Sequence, residues 1–269
     1  MDKQIGFIGT GNMAKAIIGG LINSHVVQPN QVVAFNRSFA KAEALQQAYQ
    51  IRAVKSAKEA VEGSDIVIIC VKPNMVHAVL SELIRFLGEN SIIVSIAAGV
   101  TFSMMETVVG KNRKIIRAMP NTPALVDEGM TSLTANHSVT ADELNDVQII
   151  FNSFGKSEVV SESLIHAVVG VSGSSPAYAF MFIEAMADAA VLAGMPRDQA
   201  YRFAAQSLLG SAKMVLETGM HPGTLKDMVC SPGGTTIEAV KMLEARGLRA
   251  AVIDGIGACV EKSIKMSQE

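Results

Sequence analysis

Over residues 1–160, short apolar runs alternate with segments whose apolar side chains recur every three to four positions. Ile5–Ile8 is the first run, closed by glycine. Behind it Met13, Ala16, Ile17, Gly20 and Leu21 share one helical face, the spacing of an amphipathic helix. Val32–Phe35 predicts a second strand and Ala40–Tyr49 a helix rich in Ala, Gln, Lys and Glu. Ile66–Val71 is continuously apolar, as a strand covered on both faces requires. Met75, Val79, Leu80, Leu83 and Leu87 mark the next helix. Ile92–Ile96 and Lys114–Met119 predict strands on either side of a helix near Phe102–Val109. A strand near Thr131–Thr134, a helix near Ala141–Phe154 and a strand near Ser157–Val160 complete this half. Strands alternating with helices imply right-handed crossovers and a parallel sheet.

From residue 161 the β-branched runs give way to Ala, Met and Leu. Pro176–Ala193, Pro196–Glu217, Thr235–Ala245 and Leu248–Ser267 all read as helices. Proline in the first turn starts two of them, and Gly194 and Gly219 stop helices. The expected architecture is an α/β domain of Rossmann type over residues 1–160, then an all-α domain over 161–269. The helices of the second domain are apolar around much of their circumference, as in Ala177–Leu192. Such a surface needs more cover than one small domain supplies. A helical dimer interface is the favoured cover, and burial within one chain is the alternative.

With 49% hydrophobic and 18% charged residues in 269, the chain can fill two cores, which excludes global disorder. A balance of 23 basic against 25 acidic residues, net −2, leaves no basic stripe for nucleic acid. The three cysteines, Cys70, Cys230 and Cys259, form no metal-ligand spacing. They read as reduced, packed thiols, so no metal site is expected. The N-terminus lacks signal-peptide features. The apolar stretch Val168–Ile183 is interrupted by Ser172-Gly173-Ser174-Ser175-Pro176, short of the roughly 20 residues that a membrane helix needs. A cytoplasmic protein with no membrane partner is expected.

Candidate chemistry begins after the first strand. Gly9-Thr10-Gly11-Asn12-Met13-Ala14 is a GxGxxA turn between strand and helix. Gly9 permits the tight turn, Gly11 lets backbone approach a pyrophosphate, and Ala14 keeps helix and sheet close. The helix start offers amides to phosphate. Ile8, Gly9, Thr10, Gly11, Asn12 and Met13 are therefore candidate dinucleotide contacts; the bland reading is a glycine turn without ligand. The second strand ends in Asn36-Arg37-Ser38 rather than in a carboxylate. Arg37 can pair with a 2′-phosphate, and Asn36 and Ser38 can hydrogen-bond to it. NADPH is the expected cofactor, with NADH as the alternative donor; a solvated surface arginine is the competing reading.

Four later segments extend this pattern: Val71-Lys72-Pro73, Arg117-Ala118-Met119-Pro120-Asn121-Thr122-Pro123, Gly173-Ser174-Ser175-Pro176-Ala177-Tyr178 and Ser231-Pro232-Gly233-Gly234-Thr235-Thr236. In this order behind GxGxxA they resemble the pyrroline-5-carboxylate reductase family, over about Ile5 to Cys259. The resemblance implies reduction of the cyclic imine 1-pyrroline-5-carboxylate to L-proline by a nicotinamide cofactor. It also implies dimers of interlocked helical domains, often assembled into rings. Glu162 matches a position that, by the same resemblance, contacts the product's ring nitrogen; by composition alone it is a surface carboxylate.

Each segment also has a physical reading. Val71, Lys72 and Pro73 lie at the carboxyl edge of the sheet, where ligands of such folds bind, and Lys72 could hold a phosphate or ribose. Ala97 and Ala98 end the next strand and leave room for a flat nicotinamide. Asn121 sits in a loop stiffened by prolines and suits a fixed polar contact to the nicotinamide side. An ordinary turn or a solvated lysine is the alternative at each place. Gly233 and Gly234 let backbone pass near a ligand, and amides at the helix start by Thr235 can bind the substrate carboxylate. Thr236 Oγ can reach the imine nitrogen, with Ser231 in the same turn and Ser174 and Ser175 as the opposite wall. Helix capping is the competing role for these hydroxyls. The reaction asks for orientation and electrostatics more than proton transfer, which suits a chain whose His166 and His221 stand alone in sequence. A β-hydroxyacid dehydrogenase is the nearest rival, but Lys213 is followed by Met-Val-Leu and not by its KxxNN pattern. A non-catalytic NADPH sensor would keep the first glycine turn without needing the second, and the glycine turn argues against a purely helical scaffold.

Overall fold

The computed structural model describes residues 1–268, in two compact units: Met1–Gly173 with the segment from Cys259 onward, and Ser174–Ala258. The division thus falls between Gly173 and Ser174, C-terminal to the change in residue pattern at 160, and the last helix returns the chain to the first unit.

The first unit follows the alternating pattern. Its elements are β1 (Ile5–Ile8), α1 (Asn12–Asn23), β2 (Val32–Phe35), α2 (Phe39–Tyr49), β3 (Arg52–Val54), α3 (Ala57–Val61) and β4 (Ile66–Ile69). Then come α4 (Pro73–Leu83), β5 (Ile92–Ser95), α5 (Phe102–Val109), β6 (Lys114–Met119), β7 (Gly129–Ala135), α6 (Ala141–Asn152), β8 (Gly155–Val159) and α7 (Ile165–Val168). They form an eight-stranded sheet of order β3-β2-β1-β4-β5-β6-β7-β8. At its centre Ile5 lies in register with both Val32 and Ile66. Successive side chains of β4 divide between two cores: Ile66 and Ile68 join Phe7, Ile17 and Phe151, whereas Val67 and Ile69 join Ile8, Leu80 and Met105. A strand buried on both faces carries apolar residues at every position, which is why β4 shows no polar alternation.

The sheet departs from the sequence expectation in two places. β3 and α3 have 3 and 5 residues, too few to establish a period. Local bonding marks them instead: Ser56 Oγ caps α3 by accepting from Glu59 N at 3.3 Å. β7 runs antiparallel to β6. The link between them holds only the 3-10 turn Thr122–Val126 and Asp127 at φ +60, and a parallel return needs a crossover of a dozen residues or more.

The second unit contains α8 (Ser175–Leu192), α9 (Arg197–Thr218), α10 (Pro222–Val229), α11 (Thr235–Ala245) and the start of α12 (Leu248–Met266). α10 was not foreseen; it is a short helix whose first turn is held by His221 Nδ1 accepting from Gly223 N at 3.0 Å. Ala187 of α8 and Ala200 and Ala204 of α9 are buried, so small side chains let α8 and α9 pack closely. Large apolar side chains point outward: Phe180 is 63% exposed and Phe203 67%. Before α8, a π-helical segment spans Val169–Gly173. It carries helical geometry through Ser172 and Gly173, with only a bend at Ser174 before α8, so Glu162–Leu192 is long and apolar enough by composition to cross a membrane, with almost none of it buried. This corrects the expectation of an interrupted run, because a π turn absorbs residues that break regular α geometry.

The close approach of β1 to α3 generates a test. A Cβ on Gly6 would lie 2.0 Å from Ala60 O. Gly6→Ala is expected to destabilise the protein by about 1–3 kcal/mol, as overpacking does. Urea unfolding measures it, and an unchanged midpoint would contradict this account of the β1–α3 packing.

Candidate functional site

Gly9 ends β1 at φ +99, a backbone region that side chains rarely adopt. A Cβ there would stand 2.5 Å from Cys70 O. The turn is held by Gly9 N donating to Phe35 O at 2.8 Å. Gly11 is different: nothing lies within 4 Å of where its Cβ would be. It is the N-cap of α1, and no side chain caps that helix. The first amides of α1 therefore face open space with the positive end of the helix dipole behind them.

A cleft of about 510 Å³ opens there, lined by Ile8, Gly9, Thr10, Gly11, Asn36, Arg37, Lys41, Val71 and Lys72 among others. Ends of β1, β2 and β4 thus meet at the carboxyl edge of the sheet, as the reading of the first glycine turn expects. The cations Arg37, Lys41 and Lys72 give it positive potential. Lys41, in the first turn of α2, escaped the sequence reading because a lysine among Ala, Gln and Glu looks like solvated surface. Asn36 bridges the turn: its Nδ2 donates to Thr10 Oγ1 at 2.6 Å, and its Oδ1 accepts from Ser38 N at 3.1 Å. Its amide shapes the β2–α2 turn and leaves Arg37 and Ser38 exposed. Burial pushes the Cys70 thiol well above its ordinary pKa, so this cysteine is inert packing in the cleft wall. Asn12 and Met13 open α1, and Pro73 opens α4 behind its N-cap Lys72.

A second, much smaller cavity lies at the ends of β5 and β6. Ala97, Ala98, Gly99, Arg117, Met119 and Ile165 are among its lining residues. Arg117 is almost wholly buried; its Nη1 donates to Glu162 Oε1 at 2.6 Å. The same Oε1 accepts from Phe102 N at 3.1 Å, the first residue of α5. Burial pulls the Arg117 pKa down and the bond to Glu162 pulls it back up, and a guanidinium stays charged in either case. The sequence placed Arg117 in a matched motif without a role, since its partner stands far along the chain. Asn121 is close by in sequence, yet its amide is engaged in structure: Oδ1 accepts from Met130 N at 2.9 Å, and Nδ2 donates to Ser172 O at 3.2 Å.

In the helical unit, Ser231, Gly233, Gly234, Thr235 and Thr236 share one turn leading into α11. Gly233 has φ +66 with open space around it. Gly234 N donates to Ser231 O at 3.0 Å, and a Cβ on Gly234 would strike Ser231 Oγ at 2.4 Å. Gly234 is the N-cap of α11, so no side chain caps this helix. Thr235 and Thr236 occupy its first turn, past the capping position. The first amides of α11 thus have no hydroxyl acceptor, the arrangement that anions exploit. Ser174 is the N-cap of α8 without a capping side-chain bond, Ser175 opens that helix, and Pro176 follows. The two candidate histidines are engaged: His221 caps α10, and His166 Nδ1 lies 2.9 Å from Ser263 Oγ. Among the described residues no group of three or more His, Cys, Asp or Glu is placed to hold a metal ion.

Comparison with known proteins finds a separate family model for each half of the chain. A family model described as pyrroline-5-carboxylate reductase dimerisation matches residues 162–266, and one described as NADP oxidoreductase, coenzyme F420-dependent, matches residues 4–99. The chain is 60% identical over 268 residues to pyrroline-5-carboxylate reductase of Escherichia coli (strain K12), covering 100% of both chains. It superposes on a pyrroline-5-carboxylate reductase from Coxiella burnetii with TM-score 0.94 at 36% identity, covering 99% of each chain. It matches Plasmodium falciparum pyrroline carboxylate reductase, solved with NADP bound, with TM-score 0.89 at 30% identity, over 99% of this chain and 98% of that one.

The strain at Gly9 gives a direct check on the cleft. Gly9→Ala forces a Cβ into backbone at positive φ and is expected to cost about 1–3 kcal/mol of stability. Affinity for a nicotinamide dinucleotide, read by protein fluorescence titration, should fall by at least about tenfold. Undiminished affinity would remove the cleft from the cofactor site.

Proposed function

The chain belongs to the pyrroline-5-carboxylate reductase family, and from that premise we propose how its own residues carry out the reaction. The protein is an oxidoreductase that reduces 1-pyrroline-5-carboxylate to L-proline with NADPH. The observation that carries the residue-level reading is the pair of uncapped helix starts behind glycine turns, α1 after Gly9–Gly11 and α11 after Gly233–Gly234. Each presents backbone amides to an anion, and the two reactants each bring one: a pyrophosphate and a carboxylate.

The residues fit the dinucleotide. Thr10, Gly11, Asn12 and Met13 would receive the pyrophosphate at the start of α1. Arg37, Ser38 and Lys41 would hold the 2′-phosphate, with Asn36 fixing the turn that carries them. Val71, Lys72 and Pro73 would flank the ribose, and Ala97 and Ala98 would give the nicotinamide a flat wall. Asn121 would act there through the backbone that it ties in place. When bound, NADPH supplies a hydride to the imine carbon.

The substrate carboxylate would lie on the amides of Gly234, Thr235 and Thr236. This fixes the plane of the ring and removes competing orientations. Thr236 Oγ would hydrogen-bond to the ring nitrogen and hold its proton there, which keeps the carbon electrophilic. Ser231 Oγ, above Gly234, would line the same turn, with Ser174 and Ser175 as its further wall. The imine arrives already basic enough to be protonated, so no dedicated acid is needed. The engaged histidines agree with this. Glu162 differs from the others in that its Oε1 accepts from both Arg117 and Phe102, which ties it to the turn after β5.

The apolar helical surface and the dimerisation match over residues 162–266 make the protein a homo-oligomer. A dimer burying α8 and α9 is the basic assembly in this reading, with higher rings built from it, in the cytoplasm and without a membrane or nucleic-acid partner. NADH is the weaker alternative donor, since nothing on the cleft wall near Arg37 requires the 2′-phosphate for the chemistry itself.

Two kinetic outcomes are expected. Arg37→Ala should lower kcat/KM with NADPH by about tenfold, the loss of one charge-assisted contact, while kcat/KM with NADH barely moves. Equal losses with both cofactors would sink the assignment of Arg37. Thr236→Ala should lower kcat/KM for 1-pyrroline-5-carboxylate roughly a hundredfold and leave NADPH affinity intact. Normal turnover of that variant would remove Thr236 from the chemistry.

A further inference from the structure

The turn from Ala97 to Thr101 joins β5 to α5, and it is gripped at several points. Glu162 Oε1 accepts from Phe102 N at 3.1 Å, immediately after the turn. The same oxygen is held by Arg117 Nη1 at 2.6 Å. Arg117 projects from β6, whose backbone is in register with Ser95 at the end of β5. Its guanidinium also lies 5.9 Å from the Phe102 ring centroid. On the turn itself, Gly99 has φ +77, and its Cβ position is 3.4 Å from Met266 O at the end of α12. One turn earlier in α12, Ser263 Oγ meets His166 Nδ1 at 2.9 Å, beside Glu162 in sequence. Arg117 lines one small cavity together with Ala97, Ala98 and Gly99.

We propose that Arg117 and Glu162 form a latch that holds the Ala97–Thr101 turn at a fixed height, and that Glu162 is a positioning residue for the nicotinamide end of the cofactor. This rests on the reading that Ala97 and Ala98 wall the nicotinamide. The physical case is one of stiffness. Ala97, Ala98 and Gly99, the turn residues at that cavity, carry no side chain long enough to anchor themselves, and the turn's own anchors, buried Val100 and the α5-capping Thr101 Oγ1, lie beyond them. A buried guanidinium rooted in the neighbouring strand supplies the anchor, and the carboxylate transmits it to a backbone amide of the next helix. A charge-assisted hydrogen bond from a guanidinium that is almost wholly buried is short and strong, while the Glu162 carboxylate keeps one side open to solvent. Oε1 of the carboxylate is spent on the scaffold and acts through the turn.

The test compares two ligands with the full-length protein. NADPH spans both ends of the proposed site, whereas 2′,5′-ADP occupies only the end beside Arg37. In Glu162→Ala, NADPH affinity should fall about tenfold while 2′,5′-ADP affinity holds. kcat should fall by up to roughly a hundredfold through misplacement of the ring, with KM for the imine little changed. Glu162→Gln keeps a carbonyl acceptor for Phe102 N and should recover most of both losses. Should Glu162→Ala not fold, Arg117→Met and Glu162→Gln carry the same comparison. Equal weakening of both nucleotides would mean a general structural role and overturn the latch. Unchanged NADPH affinity, or a rise confined to the imine KM, would overturn it too, the latter in favour of direct substrate contact. If wild-type protein binds NADPH no tighter than 2′,5′-ADP, the fault lies in the nicotinamide-wall reading itself, and the latch falls with it.

Discussion

The helical unit has almost no interior of its own, and much about the protein follows from that. α8 and α9 meet through alanines, whereas phenylalanines, leucines and methionines face outward. Apolar surface on this scale is stable in water only when covered. A family model of dimerisation matches the same residues, in keeping with a homo-oligomer. The Ser231–Thr236 turn, the proposed substrate end, is built on this unit, among helices that a single chain leaves largely bare.

The sheet unit solves the opposite problem. Its two cores are complete within one chain, and rigid strands end at a common edge. There Gly9 takes a backbone conformation closed to other residues, and Gly11 leaves its surroundings empty. The first glycine answers to tight packing against Cys70, the second to the space a ligand needs. The same contrast recurs in the helical unit: Gly234 is forced by Ser231 Oγ, while Gly233 stands in the open. Paired glycines, one crowded and one in the open, are therefore common to both of the turns proposed to bind anions.

The polar groups near the small-residue turn after β5 are engaged with one another and with backbone. Arg117, Glu162 and Asn121 all carry residue types expected to touch ligands. In the fold the first two bind each other, and Asn121 joins Met130 to Ser172. A buried charge or amide is costly unless its partners are satisfied, so such side chains bond to one another before any ligand arrives. A motif alone cannot separate a ligand contact from its scaffold, because both use the same residue types.

The sequence by itself determined the parallel α/β half, the all-helical half, the first glycine turn and the likeness of its later motifs to one enzyme family. These are written in local periods and spacings, where neighbours along the chain decide the outcome. It missed β3, α3 and α10, which are too short to show a period, and the antiparallel course of β7, which depends on a short link. Only the tertiary structure decided that Asn36 shapes its turn, that Lys41 joins the cofactor cleft and that Arg117 meets Glu162. Those pairings join residues far apart in the chain, and such distances close only when strands and helices pack.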